Sequence, residues 1–160
     1  MYQTVYLGLG TNLGNKKNNL KNAIKALSLE LGEPVKVSSV YQSEPWGFKS
    51  PNSFLNLVVS YNTLLNGAQV LSICLDIEKK LGRKRKESLG YESRIIDIDI
   101  LLFGNLVVAE NNLKIPHPLL KERLFVLEPL LEICEKKIFN IYSSFLENLR
   151  IQEKQKIQNK

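Results

Sequence analysis

Two aspartates stand two residues apart in the run Ile95-Ile96-Asp97-Ile98-Asp99-Ile100-Leu101. In a strand, alternate residues share a face. Asp97 and Asp99 would then point one way while Ile96, Ile98 and Ile100 point into a core. At a rise of about 3.3 Å per residue their Cα atoms lie about 6.6 Å apart. Two charges at that spacing repel by roughly 2–3 kcal/mol at an effective dielectric near 20, and Asp is a poor strand former. Ile95 and Leu101 on the same face argue against a wholly solvated surface. A hard divalent cation would offset the repulsion: Mg²⁺ typically takes one or two carboxylates and completes its shell with substrate phosphates. The plain alternative is the polar side of an amphipathic strand. The chain has 13 Glu and three Asp, so the shorter carboxylate used twice here favours a metal.

Basic residues flank the pair. The segment 79–86 holds six in eight positions, among them Arg83 and Arg85. A solvated charge run or a generic polyanion patch is the bland reading. Arg, however, offers phosphate oxygens a planar fork that Lys lacks, and this chain has five Arg against 17 Lys. Arg94 stands three residues before Asp97. His117, the only His, is confined between Pro116 and Pro118, with Arg123 close by in sequence. Basic groups around a dicarboxylate suit a metal-bound polyphosphate, where ions and Arg stabilise charge in transfer. Trp46, Phe54 and Phe125 are candidates for stacking on a flat ligand, and equally for the core. No GxxxxGK[ST] phosphate loop, zinc-spaced Cys/His cluster or GxSxG is present, and Gly8-Leu9-Gly10 lacks the third Gly of a dinucleotide fingerprint.

Composition bounds the rest. The chain has 160 residues with 44% apolar and 24% charged positions, which fits one globular domain over 1–160 and excludes wholesale disorder. The net charge of +6 is mostly scattered Lys and says little about a partner. Cys74 and Cys134 lie in apolar runs, which excludes a disulfide scaffold and fits a reducing compartment. No apolar run is long enough to span a bilayer, and Met1 to Gly10 lacks the features of a signal peptide. The expectation is a cytoplasmic monomer acting on small molecules, with no nucleic-acid or membrane partner. Residues 152–160, rich in Lys, are expected as a frayed tail.

The elements that must position these residues follow from periodicity. Thr4 to Leu9 reads as a strand. Leu20, Ile24, Leu27 and Leu31 define one helix face, with Gly32 as its stop. Val35 to Tyr41 reads as a strand and 43–52 as a long loop, then Phe54 to Leu65 as a long strand. Val70, Cys74, Ile77 and Leu81 mark a second helix. The polar stretch 83–93 reads as a loop and Arg94 to Phe103 as a strand, with Gly104-Asn105 turning it into a hairpin ending at Ala109. Short helical pieces follow, the last over Ile141 to Leu149. The order β-α-β-β-α-β predicts a ferredoxin-like α+β domain, an antiparallel sheet with helices on one face, plus an added hairpin and short helices.

Taken together, the motifs resemble those of the 6-hydroxymethyl-7,8-dihydropterin pyrophosphokinase family. The resembling segments are Gly8-Leu9-Gly10-Thr11-Asn12-Leu13-Gly14, Tyr41-Gln42-Ser43-Glu44-Pro45-Trp46-Gly47, Phe54-Leu55-Asn56, Gly82-Arg83-x-Arg85, Arg94-x-x-Asp97-x-Asp99-Ile100-Leu101, Pro116-His117-Pro118, Glu122-Arg123 and Phe125-Val126-Leu127-x-Pro129-Leu130. The resemblance implies transfer of the pyrophosphoryl group of ATP to a pterin hydroxymethyl oxygen, releasing AMP, in folate biosynthesis. It implies two Mg²⁺ ions on Asp97 and Asp99, and the triphosphate held by Arg85, Arg94, His117 and Arg123 with help from Arg83. Glu78 would face the nucleotide. Asn56 would bond the pterin edge, with Phe125 and Phe54 about its ring and Ser43 and Trp46 completing the pocket. The sequence departs from the family where W-G-P-R is replaced by Gly90-Tyr91-Glu92-Ser93-Arg94; Tyr91 stands where the closing Trp would be. Two other classes fit parts of the pattern: a basic ferredoxin-like nucleic-acid-binding module, which leaves the Asp pair unexplained, and a metal-dependent nucleotidyl transferase or nuclease.

Overall fold

The structure, a computed structural model, describes residues 1–84 and 91–159. Its sheet is antiparallel throughout, with β1 (Gln3–Thr11) central between β4 (Phe54–Thr63) and β5 (Asp97–Phe103). Two short strands, β2 (Lys36–Val37) and β3 (Tyr41–Ser43), pair with the far side of β4. The order agrees with the expected β-α-β-β-α-β, with one strand divided. The division at 38–40 has a local cause. The Ser39 N–H and hydroxyl donate to the Glu132 carboxylate, and the Ser38 hydroxyl accepts from the Val58 N–H. Side chains thus take over hydrogen bonding that a ladder would supply.

The helices between the strands form where periodicity and capping agree. For α1 (Lys16–Leu31), the Asn15 side chain accepts from the Asn18 N–H, and Leu20, Ala23, Leu27 and Leu31 are buried along one stripe. For α2 (Gly67–Lys80), Asn66 and Gln69 make a reciprocal capping box. Both helices cover the sheet face carrying Val5, Leu7, Leu9, Leu57, Val59, Ile98 and Ile100.

The opposite face is covered as well, which corrects the one-face expectation. There α3 (Leu124–Ile133) and α4 (Lys136–Gln158) pack Leu127, Leu130, Leu131, Tyr142 and Leu146 on Tyr6, Val58, Leu101 and Leu102. A sheet buried on both faces carries near-continuous apolar runs, and Leu57-Val58-Val59 and Ile100-Leu101-Leu102-Phe103 are such runs. A bulge serves this layer: Tyr6 pairs with Leu102 but Leu7 with Ile100, leaving Leu101 without a partner on β1. Its side chain joins Leu102 under the second helical layer, and its freed carbonyl accepts from the His117 N–H at 2.9 Å.

Three boundaries differ from expectation. The hairpin is not β5 with 106–109; β6 (Val108–Ala109) pairs with β7 (Lys114–Ile115). The strand expected to begin at Arg94 begins at Asp97, because Arg94 exchanges its backbone bonds with Asn12 beyond the end of β1. The last helix runs through Gln158 and so includes most of the segment expected to fray. Its exposed Gln, Glu and Lys are good helix formers that propagate a helix past its last buried residue. Both cysteines are free.

Leu7, fully buried between sheet and helices, and Leu29, 82% exposed on α1, make a matched pair. Leu7→Ala should cost about 2–5 kcal/mol in urea unfolding, and Leu29→Ala should stay within about 0.5 kcal/mol.

Candidate active site

The central strand supplies a floor by supplying no side chains. Gly8 lies between Val58 of β4 and Asp99 of β5, and Gly10 between Asn56 and Asp97. A Cβ on Gly8 would stand 3.3 Å from the Leu101 side chain, and one on Gly10 would stand 3.3 Å from Asn56 Oδ1. Phe54, Asn56, Asp97 and Asp99 therefore turn inward over bare backbone. The walls come from loop 44–48, residues 91–94 and the start of α3, which presents Arg123 and Phe125.

Asn12 ties these walls together and is 1% exposed. Its N–H donates to the Arg94 carbonyl at 3.1 Å, its Oδ1 accepts from the Arg94 N–H at 2.7 Å, and its Nδ2 donates to Ser93 Oγ at 2.9 Å. Ser93 in turn reaches Ser50 in the long loop. One amide side chain so fixes the end of β1, the approach to β5 and, through Ser93, the loop above.

The acidic pair sits among cations. Arg83 donates to Asp97 Oδ1 at 2.8 Å and also to Glu78, which is buried near the end of α2. Arg94 Nη1 lies 3.3 Å from Asp97 Oδ2. Both oxygens of Asp97 thus face a guanidinium. Asp99 differs: burial, then the charge of Asp97, holds its carboxyl well above the usual carboxylate range. His117 Nε2 is 3.8 Å from Asp99 Oδ2. Burial and the nearby Arg123 push the imidazole down to about 4, so the ring is neutral near pH 7. Its Nδ1 accepts from the Leu119 N–H at 3.1 Å, which leaves the proton on Nε2.

A second cluster is aromatic and amide. Asn56 Nδ2 donates to Ser43 Oγ at 2.8 Å and to the Tyr41 carbonyl at 3.2 Å, which turns Oδ1 toward Gly10. Trp46 meets Tyr91 edge to face at 5.3 Å, and Phe48 meets Phe54 likewise at 6.1 Å. Ser43, Trp46, Phe54, Asn56, Tyr91 and Phe125 are among the residues bounding a cavity of about 50 Å³, and Asp97 and Asp99 help bound an adjoining one of about 40 Å³. Arg123, 8% exposed, borders both.

The structure therefore brings together the residues that sequence reasoning singled out. Arg83, Arg94, Asp97 and Glu78 form one charged group, and Asp99 with His117 a second. Ser43, Trp46, Phe54, Asn56 and Phe125 form the aromatic pocket, with Arg123 between it and the charges. Arg85 lies outside the described residues. The floor made by Gly8 and Gly10 is legible as glycines at alternate strand positions, a mark of close approach, although the expected strand stops at Leu9, short of Gly10. The tie made by Asn12 and the contact of Tyr91 with Arg123 had no local signal, since both join positions far apart in sequence. Among the described residues no group of three or more Asp, Glu, His or Cys could hold an ion by itself.

Comparison with known proteins gives a consistent result. A family model described as 7,8-dihydro-6-hydroxymethylpterin-pyrophosphokinase (HPPK) matches residues 6–135. A 2-amino-4-hydroxy-6-hydroxymethyldihydropteridine pyrophosphokinase of Aquifex aeolicus is 42% identical over 147 residues, 92% of this chain and 90% of its own. One of the same description from Bacillus subtilis is 39% identical over 137 residues, 85% of this chain and 81% of its own. Among solved structures, an HPPK-DHPS in complex with substrates matches with a TM-score of 0.70 at 15% identity. That match covers 95% of this chain, which spans 45% of the length of the solved one. It supports the α+β ferredoxin-like architecture.

Removing the tie tests the geometry. Asn12→Ala leaves the part-buried Arg94 N–H without its side-chain acceptor and should destabilise the chain by about 1–3 kcal/mol. Amide exchange at Arg94 should accelerate more than at Leu7.

Proposed function

We infer the reaction from one premise: the chain belongs to the 7,8-dihydro-6-hydroxymethylpterin-pyrophosphokinase family. It is a pyrophosphokinase with ATP as co-substrate. It moves the two terminal phosphates of ATP onto the hydroxymethyl oxygen of 6-hydroxymethyl-7,8-dihydropterin, releasing AMP, in folate biosynthesis. The observation that best supports this reading is an aromatic pocket and a carboxylate pair, one member held by two guanidinium groups, sharing one floor.

The residues divide the work by chemistry. Asn56 and Ser43 offer hydrogen bonds to the polar edge of a pterin, and Trp46, Phe54 and Phe125 offer apolar surface to its ring. Arg94, Arg123 and the neutral His117 Nε2–H would hold phosphate oxygens, with Arg83 and Arg85 from the loop side and Glu78 keeping Arg83 oriented. Phosphoryl transfer of this kind is mostly positioning and charge stabilisation, which such a set supplies without a covalent intermediate. Asp97 and Asp99 suit two Mg²⁺ ions. They are hard oxygen donors, cations already crowd Asp97, and their small number leaves ligand positions for phosphate oxygens and water. When bound, the metal would neutralise phosphate charge and orient the chain of phosphates.

The reading extends to a cytoplasmic monomer acting as one domain, with small molecules as its only partners. Among the described residues no helix is long and apolar enough to cross a membrane. No observation favours a nucleic-acid-binding module, a nuclease or a nucleotidyl transferase.

An assay with 6-hydroxymethyl-7,8-dihydropterin, ATP and Mg²⁺ should release AMP; release of ADP, or no turnover, overturns the reading. Asp97→Ala and Asp99→Ala should each lower kcat by about 10³ or more with unchanged circular dichroism. Arg83→Gln, which takes a guanidinium off Asp97, should raise Mn²⁺ affinity about tenfold without nucleotide, as read by titration calorimetry.

A further inference from the structure

Arg123 sits among the rings of the aromatic pocket. Its guanidinium carbon is 4.5 Å from the Trp46 ring centroid, 5.3 Å from that of Tyr91 and 5.8 Å from that of Phe125. These are distances at which an aromatic face attracts a cation. The two cavities it borders hold about 50 and 40 Å³, whereas small-molecule sites usually run to about 300 Å³ or more. Arg123 takes up part of the space between these rings.

Besides these rings, among the described residues one neutral oxygen bonds the Arg123 guanidinium. Arg123 Nη2 donates to Tyr91 Oη at 3.0 Å, while its buried Nε has no hydrogen-bond partner among the described residues. The Tyr91 ring is itself wedged. It meets Trp46 edge to face, and Gly47, at φ +81°, leaves room for it: a Cβ there would come within 2.6 Å of Tyr91 Cδ2. Two residues on, Ser93 and Arg94 are pinned to Asn12. The tyrosine is thus set by packing on one side and by the backbone on the other, with its hydroxyl aimed at the guanidinium.

We propose that Tyr91 is a positioning residue whose phenol oxygen parks Arg123 in the aromatic pocket of the empty enzyme, and that a triphosphate frees the pocket by taking the guanidinium away. Phosphate oxygens are charged acceptors and outcompete a phenol for Arg; they also offer the Nε a partner that the resting site lacks. Nucleotide binding and pterin binding are thereby coupled through one side chain, and the coupling is reciprocal. The oxygen at position 91 carries this role, whereas the ring alone does not. Phenylalanine has no acceptor, and the indole nitrogen of tryptophan only donates. Tryptophan at this position would keep a ring face for the cation but offer Arg123 Nη2 no oxygen.

The inference rests on the pyrophosphokinase reading above, and the experiment separates the two. Pterin affinity of the full chain is measured from 6-hydroxymethyl-7,8-dihydropterin fluorescence, with and without α,β-methylene-ATP and Mg²⁺. Tyr91→Phe and Tyr91→Trp are compared with the unsubstituted chain; Tyr91 is 41% exposed, so neither substitution threatens the fold. Both variants should bind pterin without nucleotide tighter than the unsubstituted chain by about tenfold or more, as expected for loss of one hydrogen bond to a charged group. The enhancement by nucleotide should shrink by the same factor, a change that a purely structural ring would not produce. Unchanged or weaker binding in both variants, or unsubstituted behaviour in the tryptophan variant alone, overturns the proposal. Absence of pterin binding by the unsubstituted chain both with and without nucleotide overturns the pyrophosphokinase reading and this inference with it.

Discussion

The site depends on two missing side chains. Gly8 and Gly10 lie on one face of the middle strand, directly beside Asp97 and Asp99 on one side and Asn56 on the other. Any side chain at these positions would meet Leu101 or Asn56 at once. Because the strand is central, its backbone is held by ladders on both sides, so the bare stretch is rigid as well as open. The neighbouring strands then tilt their polar groups over a surface that cannot obstruct them. A carboxylate pair and an amide come into one cleft without any loop having to carry them, and groups on paired strands are more precisely placed than groups on loops.

The charges in that cleft are arranged to be exchanged. A partly buried carboxylate is costly unless it is paired, and Asp97 is paired twice, with Arg83 and Arg94. Asp99 has no guanidinium within salt-bridge reach among the described residues and is instead driven toward its protonated form by burial and by Asp97. His117 is driven toward its neutral form by burial and by Arg123. The two carboxylates so meet the cost of burial differently, Asp97 by pairing and Asp99 by a shift toward its protonated form. A ligand that brings its own cations and anions together can replace both.

The second helical layer explains how Arg123, Phe125 and His117 reach the cleft. Sheet faces bearing Tyr6, Val58, Leu101 and Leu102 need cover, and α3 with α4 provides it. The bulge at Leu101 orders this side of the sheet and gives His117 a backbone anchor. The start of α3 is thereby fixed at the rim of the cleft. Packing below positions the chemistry above, and the apolar run in α3 is the part of the sequence that secures it.

The sequence by itself determined the chemical inventory and the order of the elements. The Asp pair, the scarce Arg and the lone His stood out by type and spacing, and strand and helix periods placed them on recognisable pieces of chain. The family motifs added the acceptor and the roles. Periodicity states which side of an element is apolar, but not how many layers will cover the sheet, and the one-face expectation failed for that reason. A polar tail with nothing to bury shows no amphipathic period, yet its helix-forming residues carry α4 through Gln158. What only the tertiary structure decided are contacts between positions far apart in the chain. Asn12 reaches Arg94, Tyr91 reaches Arg123, and Arg83 bridges Glu78 and Asp97. Hydrogen bonds and ion pairs fall off steeply with distance and angle, and those distances come into being only when the sheet, its bulge and both helical layers are packed.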